Sequence, residues 1–183
     1  MTRIPHDDKM LGIYLNDHLA GATAGVELAK RLAGELRDEP AGQVMAGLAE
    51  EIAEDRDALL NALAALDIPV RHYKTWLGWV GEKLGRLKPN GRLLSQSPLS
   101  KVIGLEMMRL GIEGKASGWR TLRTRAEHDS RLDAARFDVL TDRAHRQAEQ
   151  VERLRVVAAA EAFGGEDDPS VTMDGVEKDR RSP

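Results

Sequence analysis

The sequence predicts an all-α protein, a four-helix bundle whose second and third helices are joined by a long crossover. Three observations predict it. Ala, Leu, Glu and Arg dominate, and apolar residues recur at spacings of three and four. Proline and glycine gather at a few breaks that divide the chain into long helical stretches. Almost nowhere do apolar and polar residues alternate with the period of two that a strand requires.

The first helix is expected from about Asp7 to Leu36. Acidic residues at 7 and 8 suit the positive end of the helix dipole. Its apolar stripe is Leu11, Leu15, His18, Ala22, Gly25, Ala29 and Leu32. Asp38-Glu39-Pro40 stops it and starts the second helix, with an acidic cap and then proline in the first turn. That helix runs to about Leu66, with Val44, Leu48, Ile52, Asp55, Leu59, Ala62 and Leu66 on one face. The short link makes the two helices antiparallel neighbours. Asp67-Ile68-Pro69 opens a crossover helix, about 69–88, carrying Tyr73, Trp76, Leu77, Val80, Leu84 and Leu87. It ends at Lys88-Pro89-Asn90-Gly91, and at about 1.5 Å per residue it travels roughly 25–30 Å, most of the way back along a bundle. Ser97-Pro98 starts a third long helix, to about Arg125. Ser130 with Asp133 resembles a capping box and marks the start of the fourth, which closes at Phe163-Gly164-Gly165. Residues 7–163 thus form one bundle. The polar, aperiodic residues 164–183 read as a disordered tail that can carry a docking motif for a protein partner.

Composition narrows the function. There is no cysteine, which excludes disulfides, thiolate metal sites and cysteine nucleophiles. No stretch is apolar enough to span a membrane and the opening residues carry no apolar run, so no signal peptide is expected and the cytoplasm is the expected location. The net charge of −3 is unevenly spread. Residues 68–125 hold 12 basic and 3 acidic side chains, hence +9, between two acidic flanks. Arg71, Lys74, Lys83, Arg86, Lys88 and Arg92 therefore offer an anion-binding stripe. Charge neutralisation by the acidic flanks explains the same pattern, and few aromatic residues are available to stack on bases, so nucleic acid is the disfavoured partner.

The third helix carries Gly104, Gly111 and Gly118 at intervals of seven, on one face. Three glycines cost roughly 2–3 kcal/mol of helix propensity, which close approach by another element must offset. Leu99, Ile103, Glu106, Leu110 and Glu113 occupy the other face. The expectation is a bundle interior on the glutamate side and the crossover helix, or a second subunit, on the glycine side. Burial beyond what one bundle needs makes a homo-oligomer, a dimer first, the expected assembly.

Two antiparallel helices, a long crossover and two more antiparallel helices make a topology that resembles the ferritin-like bundles. The crossover helix is similar to the short extra helix of that superfamily's small DNA-protecting members. The run from Leu15-Asn16-Asp17-His18 to Glu27 looks like the first helix of bacterial ferritin-like proteins. The resemblance implies a metal pair at mid-bundle. Counted from the end shared by the first two helices, His18, Asp55, Glu113 and His145 lie 15–18 residues along their helices, at one level (36−18, 55−40, 113−97 and 161−145). With Glu51, one turn from Asp55, they are the candidate ligands, a mixed imidazole and carboxylate set suited to Fe, Mn or Zn.

The pattern implied by the resemblance is a carboxylate on helices one and three and Glu-x-x-His on two and four. This chain departs from it. His18 stands where a carboxylate is expected, the second helix has no histidine, and Asp142-Arg143-Ala144-His145 lies off the apolar face of the fourth. The first reading of these residues is therefore structural: His18 pairs with Asp55 and fixes helix register, within a non-catalytic structural or interaction bundle. The second is a metal-binding protein of iron or manganese handling or oxidative-stress protection. The third is an anion-binding bundle using the basic crossover.

Overall fold

A computed structural model describes residues 6–71 and 97–164. They form four α-helices: α1 (His6–Glu35), α2 (Pro40–Ala65), α3 (Pro98–Ala126) and α4 (Ala134–Phe163). No strand occurs among the described residues, and no helix there is long and apolar enough to cross a membrane. Pro69, Val70 and Arg71 are not helical. The remainder of the expected crossover helix, with its tryptophans and all of the basic stripe but Arg71, lies outside the described residues, as does the tail from 165 onward.

Each helix end has a local cause. Pro40 takes the first turn of α2, where its missing N–H costs nothing. Ser97 caps α3 by accepting the Ser100 N–H at 3.2 Å. α4 starts at Ala134, four residues beyond Ser130. Asp133 is itself the cap, accepting from the N–H of Ala135 at 3.0 Å and of Arg136 at 3.4 Å. The residues before it form a turn, pinned by Asp129 between Arg125 and Arg131. α2 closes with Asp67 at φ 55°, where its own N–H bonds Ala64 and that of Ile68 bonds Leu63, which satisfies the last carbonyls of the helix.

Side-chain contacts fix the directions. Asp8 meets Arg125, Tyr14 meets Thr121, His18 lies on Gly118 and Leu32 on Gly104, so α1 and α3 are antiparallel. Arg131 reaches Asp67, and Arg143 reaches Glu54 and Asp55, so α2 and α4 are antiparallel too. Glu39 with Lys101 and Asp55 with Lys115 make α2 and α3 parallel. The helices stand in a square in which α1 and α4 are diagonal, and the α2–α4 side is the most sparsely packed. Leu15, Leu32, Met45, Leu63, Leu105, Leu122 and Val151 form the fully buried centre.

The glycine face of α3 points the other way from expectation. Gly104 and Gly118 pack against α1, while Leu110, Glu106 and Glu113 are exposed. The reason is volume. Leu105, Met108, Ile112, Ala116, Trp119 and Leu122 share the inward side with the glycines and are all buried, and they outweigh three aliphatic residues interrupted by two glutamates.

Candidate functional site: the mid-bundle polar layer

The layer is built around Asp55. Its position in the apolar stripe of α2, between Ile52 and Leu59, leaves it with no exposed side-chain surface. An unpaired carboxylate there would be costly, and the neighbouring helices answer it. Lys115 of α3 donates to Asp55 Oδ2 at 2.5 Å, and Arg143 of α4 donates to Oδ1. Gln147, fully buried one turn beyond Arg143, accepts from Lys115 at 2.6 Å. Its amide donates to Glu51 at 2.8 Å and to Asp55 Oδ2 at 3.4 Å. Arg143 also bonds Glu54 at 2.8 Å. Long side chains thus span the open side of the square between α2 and α4.

Burial pushes the Lys115 ammonium below its usual range, against the pull of Asp55. Burial acts in the same sense on Arg143, but Asp55 and Glu54 outweigh it and hold the guanidinium above its ordinary value. Arg143 on Oδ1 and Lys115 with Gln147 on Oδ2 take up most of the acceptor capacity of the Asp55 carboxylate and neutralise its charge.

His18 does not pair with Asp55. It is half-buried, its ring set edge-on to Tyr14 at 4.4 Å and lying where a side chain at Gly118 would stand. Burial lowers its pKa, opposed by the charge of Asp17. Both His18 and Asp55 line one cavity between α1 and α3. Of the remaining expected ligands, Glu51 joins Asp55 through Gln147. Glu113 is exposed on α3, and His145 is exposed on α4, 3.5 Å from Arg120. Among the described residues no three His, Asp or Glu side chains come together as metal ligands. The described residues therefore do not assemble the donor set that the sequence resemblance implied.

Sequence reasoning missed Lys115, Arg143 and Gln147. Gln147 was accessible, since it sits beside Ala144 and Ala148 on the apolar stripe of α4. Lys115 was hidden by the inverted assignment of faces on α3. Asn16 was missed too. This buried side chain bonds Gly12 O, Pro69 O and the Arg71 N–H, and ties the chain leaving α2 onto α1.

Compared with known proteins, the chain matches no family model, no curated protein and no solved structure.

Proposed function

We propose that this chain is a non-catalytic bundle of the ferritin-like kind, a structural or interaction protein in which an ion-paired layer takes the level where such bundles hold metal. The observation that carries the reading is Asp55. Its two oxygens are engaged by Lys115 and Arg143, so the one fully buried carboxylate of the layer acts as a counter-ion and a register lock. The directions of the four helices support the ferritin-like part. An exposed apolar strip on α3, with Leu99, Met107 and Leu110 at 45%, 40% and 72% exposure, supports the interaction part, and a second copy is the expected partner.

Elemental analysis of protein purified without a metal-binding tag tests the reading, with Asp55→Ala and His18→Ala/Glu113→Ala beside it. The expected result is sub-stoichiometric Fe, Mn and Zn in all three. Near-stoichiometric metal in the wild type, lost in either variant, would replace this reading with a metal-handling one.

A further inference from the structure

We propose that the cleft between α1 and α3 is a docking groove for the chain's own residues 72–96, which seat Trp76 and Trp79 in it. The cleft encloses about 420 Å³ and reaches from the surface down to Ile52 and Leu59 of α2. Its wall is predominantly apolar, with Leu28, Met107 and Met108 beside the helix glycines, and an apolar groove of this size is unfavourable when left to water.

Where the segment begins and ends selects it as the occupant. Its first end is fastened to α1. Ile68 lies against Gly12, and the buried Asn16 side chain accepts the Arg71 N–H at 2.7 Å and donates to Pro69 O at 3.2 Å. Its other end is Ser97, the cap of α3. The segment thus departs from one wall helix of the cleft and returns as the other. The two ends also lie at different levels. Asn16 is two residues from His18, which meets Gly118, and Ser97 stands 21 residues before Gly118 (118−97). At about 1.5 Å per residue the ends are roughly 30 Å apart along the bundle. Twenty-five residues span that distance (96−71). Helical to about residue 88, as their sequence predicts, they supply about 25 Å of helix and an extended remainder. The open α2–α4 side is off this route, because the exit from α2 is held on α1.

Composition agrees with the placement. Residues 72–96 hold two of the chain's three tryptophans, and Tyr73, Trp76, Val80, Leu84 and Leu87 recur at three and four, which makes one face apolar. Five basic side chains and one acidic give the segment +4, whereas the rest of the chain, with 22 basic and 29 acidic, carries −7. Exposed Asp17 stands among the residues that line the cleft, where a basic segment is favoured over an acidic one.

The test is acrylamide quenching of tryptophan fluorescence in the full chain. Trp76→Phe/Trp79→Phe is measured beside it, so that the signal of buried Trp119 can be subtracted. Trp76 and Trp79 should be shielded in the wild type at every protein concentration. Gly21→Leu on one wall and Gly111→Leu on the other place a side chain in the groove, and each should raise the quenching of these two tryptophans several-fold. Gly47→Leu is the control. It alters a helical glycine that is equally open but lies on α2 outside the cleft, and it should leave the quenching unchanged. Leucine favours the helix over glycine, so circular dichroism should show all three variants folded. Three results would overturn the proposal: Trp76 and Trp79 quenched in the wild type as freely as in the urea-unfolded chain; shielding lost on dilution, which would make a second copy their cover; or quenching that is the same in Gly21→Leu, Gly111→Leu and Gly47→Leu.

Discussion

Asp67 sits at φ 55°, the left-handed region where a side chain normally costs about 1 kcal/mol and glycine costs nothing. It is there because the backbone bonds that close α2 require that turn, and an aspartate tolerates it better than a branched residue would. Its ion pair with Arg131 spans 3.4 Å between exposed side chains and offsets little. Asp67→Gly should therefore raise stability by about 0.5–1 kcal/mol in urea unfolding, and a loss of stability would show that the ion pair outweighs the turn. His18 makes a second prediction at this scale. Burial lowers its folded pKa below 6.5, so between the two values the unfolded chain binds the proton and the folded chain does not. Its contribution is thus most favourable above pH 6.5 and is lost as the pH falls through that window. The stability of the wild type relative to His18→Gln should be greater at pH 7.5 than at pH 5, and a pH-independent difference would mean that His18 stays as easily protonated as in water.

At the scale of elements, α3 shows what a sequence period can and cannot say. Helix ends were legible, because proline, glycine and small polar caps act locally: α2, α3 and the end of α4 fall where Pro40, Ser97-Pro98 and Phe163-Gly164 place them. The facing of α3 was not, because the glycine strip and the leucine–glutamate strip follow compatible helical spacings. Apolar volume decided between them, and α1 fits closely onto the side it turned inward. Leu32 and His18 of α1 need close approach, and only Gly104 and Gly118 permit it. The three glycines should consequently differ in their response to alanine. Gly111→Ala meets open space and should stabilise by about 1 kcal/mol through helix propensity. Gly118→Ala places its methyl about 3.1 Å from the His18 ring, already packed on Tyr14, and should gain nothing or lose stability. Chemical denaturation of the two variants checks this, and equal gains would mean that the α1–α3 contact is slack.

For the whole molecule, the bundle was legible and its polar centre only half so. The stripe of α2 placed Asp55 inside, with Glu51 one turn away beside it. What answers Asp55 was not readable, because Lys115 and Arg143 look like ordinary surface cations until the geometry of the square is known. α2 and α4 stand apart, and Arg143 and Gln147 of α4 reach across that gap to Glu54, Asp55 and Glu51. A buried ion-pair layer gives direction and register to the bundle at some cost in stability, and removing one partner is far worse than removing all. The most direct test of the central claim, that this layer is structural, is equilibrium unfolding of two variants beside the wild type. Asp55→Ala strands two partly buried cations and should cost about 3 kcal/mol or more, whereas Asp55→Leu/Lys115→Met/Arg143→Met should fold to the same helical content with stability equal to or above the wild type. A neutral Asp55→Ala, or a triple variant that folds less stably than Asp55→Ala, would contradict the account.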